Sequence, residues 1–136
     1  AERLLRAANL PLEGIKLRGR IEHRDLLQEM QSASLLLHPS LTEAFPMAIA
    51  EAMAIGIPII AGRRSGGVPW LLDRGHAGQL VDVKDAKAIY RAIKRIFEHP
   101  EEISIQCEAA RNRAWQLADP YATAEQYLGV YRSVLA

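Results

Sequence analysis

The chain has 136 residues, 49% of them hydrophobic, enough for one domain with a sizeable core. Its 17 basic and 16 acidic side chains leave a net charge of +1, and that balance excludes the basic excess of a nucleic-acid binder. The single cysteine, Cys107, cannot form an internal disulfide and points to a reducing compartment, most simply the cytosol.

Residues 2–9 have the pattern of a short amphipathic helix, without the basic patch and long apolar stretch of a signal peptide. The chain has no initiator Met and opens inside that pattern, so it is expected to be a fragment of a longer protein. Gly14 breaks the pattern, and Ile-Lys-Leu at 15–17 predicts a short strand ending at Gly19. A helix is predicted over 23–33, where Leu26, Leu27, Met30 and Ala33 recur at helical spacing. SLLLH at 34–38 is a continuous apolar run stopped by Pro39. Pro46 can open the next helix, because a first turn does not need its missing N–H, and Gly56 ends it.

PIIA at 58–61 predicts a strand, 62–67 a loop, 68–73 a short helix and GQLVD at 78–82 another strand. A long helix is predicted from Asp85 to His99, with Ile89, Ile93, Ile96 and Phe97 on one face, followed by helices over 101–117 and 121–134. Met47, Met53, Phe97 and Trp115 are expected in the core or between helices. Four short apolar strands alternating with helices predict an α/β fold: a Rossmann-like parallel sheet of about four strands, covered on both faces. No repeat or linker divides residues 1–136, which read as a single domain.

Between Ala44 and Gly62 the only charged residue is Glu51. The run is not a membrane span: Pro46, Gly56 and Pro58 interrupt it, and Glu51 would be costly in lipid. In open parallel sheets ligands bind beyond the carboxyl ends of the strands, which places HPSLTEAFP at 38–46 in the functional position. The helix that follows offers free N–H groups and its dipole to an anion, a phosphate above all. Glu43, on the loop before that turn, cannot favour the same anion and suits neutral hydroxyls beside it. Glu51, in mid-helix, either faces water or meets donors such as vicinal hydroxyls or an Arg. Its helical neighbours Met47, Ala48, Ala54 and Ile55 supply no partner.

The stretch HPSLTEAFPMAIAEAMAIGIPIIAGRRSGGVPWLLDRGHAGQLVDVKD resembles the core of the C-terminal domain of GT-B retaining glycosyltransferases, the group 1 type. The matching features are Glu43 and Glu51 with seven residues between them, Ala-Phe-Pro at 44–46, Glu-Ala-Met-Ala at 51–54, Gly56, Pro58, Gly66-Gly67-Val68-Pro69, Gly78 and Leu80-Val81. The Gly19 loop and the Tyr127/Tyr131 helix fit more weakly.

The resemblance implies a donor site for a nucleotide diphosphate sugar, with no other cofactor and no metal. Glu43 would hold hydroxyls of the sugar, the catalytic position, and Glu51 the two ribose hydroxyls. The backbone of Ala44, Phe45, Pro46, Met47 and Ala48 would face the diphosphate and sugar, and Ile21 the base. It further implies a sugar transferred, with retention, to a glycan or lipid-linked acceptor, in the cytoplasm or at the inner face of the membrane.

There are departures from the family pattern. Ala44 and Pro46 replace frequent glycines, and Trp70 stands where an acidic residue is common; the sequence offers no physical account of Trp70. The family's Gly-Arg-Leu…Lys-Gly segment, whose Arg and Lys meet the diphosphate, is not among these residues, nor is the N-terminal acceptor domain. The chain is therefore expected to be a partial C-terminal domain that does not catalyse and binds donor weakly by itself.

Other groups carry less. His23, His38, His76 and His99 show no metal-ligand spacing, although His38 ends a predicted strand beside the site. Arg63 and Arg64 either bring charge near the site or are solvated loop residues, and Gly66-Gly67 either approaches ligand or only turns the chain. Lys84, Lys87, Arg91, Lys94 and Arg95 make one basic side on the long helix, either solvated or able to touch anionic lipid. The alternative class is a non-catalytic α/β module binding a nucleotide or a protein. A membrane-surface adaptor rests on the basic helix alone.

Overall fold

The computed structural model describes residues 13–135. The helix expected over 2–9 lies outside them. Three strands, β1 (Leu36–His38), β2 (Ile59–Gly62) and β3 (Gln79–Val81), form one parallel sheet in the order β1-β2-β3. The register sets Leu37 beside Ile60 and Ala61 beside Leu80. Six α-helices and a short 3-10 turn (Asp73–Gly75) accompany them among the described residues: α1 (His23–Ser32), α2 (Met47–Ile55), α3 (Val68–Leu71), α4 (Ala86–Glu98), α5 (Pro100–Ala118) and α6 (Pro120–Leu135).

The α/β class and parallel sheet are as predicted, but the described sheet has three strands, not four. Residues 15–17 are not a strand: Ile15 and Leu17 are 48% and 45% exposed. Gly14 and Gly19, at φ 77° and 63°, interrupt the extended backbone on either side. Among the described residues no strand lies beside Ile15-Lys16-Leu17, so their backbone groups are not paired in a ladder.

The central strand β2 is buried on both faces, its side chains alternating between two core clusters, while Leu37 on β1 is exposed. Ile59 and Ala61 join Met30, Ile49, Ala52, Met53 and Ala110 on the side of α1, α2 and α5, while Ile60 joins Ala92 and Ile96 of α4 and Ile103 at the start of α5. Helix α2 buries Ile49, Ala52 and Met53, an i, i+3, i+4 set. Pro46 is its N-cap, one residue before the first helical position expected for it, at φ −76° and ψ 99°. Gly56 closes it in the left-handed region, φ 86°, donating to the Ala52 carbonyl at 2.8 Å. The Asp85 carboxylate accepts from the Lys87 N–H at 2.8 Å and starts α4.

Three expected packing residues are on the surface: Met47, Phe97 and Trp115 are 60%, 64% and 70% exposed. At about 100° per residue, Phe97 falls beside rather than on the stripe centred on Ala92 and Ile96, and Trp115 falls off the stripe of Ile103 and Ala110. Met47 lies opposite Ile49 and Met53, so the core never reaches it. Among the described residues no helix is long and apolar enough to cross a membrane.

Candidate functional site

Because the strands are parallel, the ends of β1, β2 and β3 lie on one edge and deliver three loops side by side: 39–46, 63–67 and 82–85. The first is held from its neighbour. The buried Ser65 hydroxyl donates to the Ser40 carbonyl at 2.5 Å, and the Gly67 N–H donates to the Glu43 carbonyl at 2.9 Å. Gly66, at φ 58°, and Gly67 press directly on this backbone; a Cβ on Gly66 would collide with the Glu43 carbonyl oxygen, and one on Gly67 with that of Ala44. The pair turns the chain and also forms the wall that fixes Glu43.

The Glu43 side chain is 28% exposed, and the His38 ring donates to it through Nε2 at 3.1 Å. The nearby Ser40 hydroxyl first, and the His38 ring second, hold its carboxyl below the ordinary glutamate value. The His38 contact is the direct one in this geometry, since Ser40 Oγ donates to the Thr42 carbonyl at 3.2 Å.

Loop 39–46 runs into α2. The Ile49 and Ala50 N–H groups already donate to the Pro46 carbonyl, at 3.0 and 3.2 Å. Those of Met47 and Ala48 have no intrahelical acceptor in a first turn. Pro46 itself is buried, Ala44 and Phe45 are exposed, and Ala48 is half-buried.

Glu51 follows on the next turn with its side chain 18% exposed, on neither a fully solvated stripe nor a sealed core face. The partner missing from its own helix comes from α1: the His23 ring meets Glu51 Oε1 at 2.8 Å. Ile21, half-buried, lies two residues before His23, on the segment leading into α1. Phe45, Met47, Glu51, Ala54, Ala114 and Leu117 line a mainly apolar groove of about 350 Å³. A separate cleft of about 380 Å³ opens between Thr42, Arg63, Arg64 and Lys84.

Sequence reasoning missed His23, because no spacing rule links residues 28 apart across two helices. It also left Trp70 unexplained. In the structure Arg113 covers that indole, 5.2 Å from the ring centroid, and donates to the carbonyls of Leu71 at 2.8 Å and Trp70 at 2.7 Å. Trp70 thus belongs to a clamp tying α3 to α5. Among the described residues no group of three or more His, Cys, Asp or Glu is placed to hold a metal ion.

The family model for glycosyl transferases group 1 matches residues 2–113. The chain is 31% identical over 113 residues to a D-inositol 3-phosphate glycosyltransferase of Saccharomonospora viridis, covering 83% of this chain and 26% of that protein. It is 33% identical over 122 residues to a GDP-mannose-dependent alpha-mannosyltransferase of Corynebacterium glutamicum, covering 87% and 28%. Sucrose-phosphate synthase of Thermosynechococcus elongatus superposes with a TM-score of 0.78 at 31% identity, over 98% of this chain and 33% of that one. HepE of Anabaena, in complex with UDP, superposes with a TM-score of 0.80 at 26% identity, over 97% and 36%. The architecture is that of GT-B glycosyltransferases, and the chain spans about a quarter of the length of the curated relatives it matches.

Proposed function

This chain belongs to the glycosyl transferases group 1 family, and on that premise we propose that it is the donor-binding part of a retaining enzyme that moves a sugar from a nucleotide diphosphate sugar to a glycan or lipid-linked acceptor. One observation carries the proposal: two partly exposed carboxylates bracket the free first turn of α2, each steadied by a single histidine. A carboxylate with one oxygen engaged keeps acceptor sites for hydroxyls, and such charge-assisted bonds are the strong kind.

In this proposal Glu51 takes the vicinal ribose hydroxyls, and Ile21 lies at the base. The Met47 and Ala48 N–H groups, with the helix dipole, face the diphosphate and stabilise the charge it gains as the sugar leaves. Glu43 repels an anion placed there and instead orients the sugar hydroxyls. The leaving phosphate takes the acceptor's proton. No other cofactor is assigned. UDP bound to HepE and the GDP-mannose dependence of the Corynebacterium relative support a nucleoside diphosphate and leave its base open.

Residues 1–136 are proposed to form one unit, part of a C-terminal domain, inactive alone because the Arg–Lys segment and the acceptor domain are not among them. The enzyme's setting is proposed as cytoplasmic, at the inner membrane face where the acceptor is lipid-linked.

The test is an NMR titration with UDP, GDP and ADP, repeated on Glu51→Ala. One nucleotide should shift residues 43–52, and the variant should weaken it about tenfold to a hundredfold, the loss of a charge-assisted pair of bonds. No shift with any nucleotide at millimolar concentration would refute donor binding by residues 1–136 alone, and the same titration on a chain that includes the Arg–Lys segment would then decide whether that segment is indispensable.

A further inference from the structure

The cleft between Thr42, Arg63, Arg64 and Lys84 has no part in the donor site described above. It contains no residue of α2 and not Glu51, yet it starts at Leu41 and Thr42, directly before Glu43. Its remaining wall is Ser65 and Val81–Lys84, so it lies at the carboxyl ends of all three strands.

Three cations meet one carboxylate there. On the neighbouring helix α4 three cations do have acidic partners: Arg91 has Asp85, Lys94 has Glu98 and Arg95 has Glu102. Among the described residues no acidic group comes within ion-pair distance of Arg63, Arg64 or Lys84. Asp82, the only acid on the wall, already accepts from the Lys84 N–H at 3.0 Å in its own turn.

The loop that carries the arginines is fixed at three points. The Arg63 N–H donates to the Val81 carbonyl at 2.8 Å, Ser65 is tied to Ser40, and Gly67 is tied to Glu43. Both guanidinium groups are therefore presented from an ordered backbone at the rim, where planar forks match phosphate oxygens.

We infer that this cleft binds a phosphate group on the acceptor, next to the hydroxyl that receives the sugar. The inference rests on the donor proposal for the place of the sugar at Glu43. A soluble phosphate ester and a phospholipid headgroup share this chemistry.

The experiment is an NMR titration of the full chain with inorganic phosphate, with and without saturating UDP, and with vesicles of phosphatidylglycerol against phosphatidylcholine. Phosphate should shift the amides of 41–42, 63–65 and 82–84 equally with UDP present and in Glu51→Ala. Arg63→Gln/Arg64→Gln should weaken it about tenfold or more, whereas Arg63→Lys/Arg64→Lys should keep part of the affinity. Both pairs change exposed side chains, and an unchanged melting temperature will show that they fold. A response to phosphatidylglycerol alone would support a lipid source. Displacement of phosphate by UDP would overturn the inference, since the arginines would then serve the donor. UDP binding with no response at 63–65 to either probe would also overturn it. Phosphate binding without UDP binding would leave the cleft standing and count against donor binding by residues 1–136 alone.

Discussion

Replacing Gly67 by alanine isolates how much of the site is held by backbone contact. Gly67 has φ −73° and ψ −9°, a conformation any L-residue adopts, so the substitution carries no left-handed penalty. The added Cβ meets the Ala44 carbonyl oxygen well inside contact distance, with the carbonyl carbon at 3.2 Å. The neighbours are backbone atoms that cannot rotate away, so loop 39–46 or the start of α3 must shift by about an ångström, as in an overpacked core. Overpacking costs about 1–3 kcal/mol, and the Gly67 to Glu43 hydrogen bond, worth about 1 kcal/mol, is stretched or lost.

The expected total is about 2–4 kcal/mol. For a domain of this size, melting should fall about 3–5 °C for each of these. Thermal denaturation followed by circular dichroism measures the first effect, with Gly129→Ala, whose Cβ meets nothing within 4 Å, as the control. NMR titration measures the second. The nucleoside diphosphate should still bind through Glu51, while the extra affinity contributed by the sugar of a nucleotide sugar should disappear with Glu43 displaced. Wild-type melting and unchanged sugar discrimination in Gly67→Ala would refute the claim that the glycine pair sets the Glu43 backbone.

Two further outcomes are expected. Arg113→Ala should cost about 2–3 kcal/mol, since it strips a charged donor from the Leu71 and Trp70 carbonyls, and Arg113→Lys should recover less than half because lysine lacks the planar fork; chemical denaturation measures both. Glu43 has a lowered folded value, so its contribution to stability is present above the unfolded glutamate value and is lost as pH falls through the folded one. Carbon-detected titration should therefore give Glu43 a midpoint below the ordinary glutamate value, and His38→Ala should raise it; an unmoved midpoint in that variant would show that His38 does not support the carboxylate.

Much of the fold was legible in the sequence because local chemistry decided it. Pro46 and Gly56 bound α2, Asp85 starts α4, and the unbroken apolar run at 58–61 marks β2 as buried on both faces. The order of Glu43, Glu51, Gly66-Gly67 and Pro69 identified the family before any coordinates. What the sequence could not decide were matters of neighbourhood. Whether residues 15–17 pair as a strand depends on a strand beside them. Whether Met47, Phe97 and Trp115 are covered depends on a turn of about 100° relative to a stripe that only packing defines. The partner of Glu51 lies on another helix, and the account of Trp70 lies in Arg113, 43 residues away. Propensities, caps and motifs act over a few residues of chain, whereas hydrogen-bond partners, collisions and charge balance in a cleft are set by distances across the fold, which exist only once the chain has closed on itself.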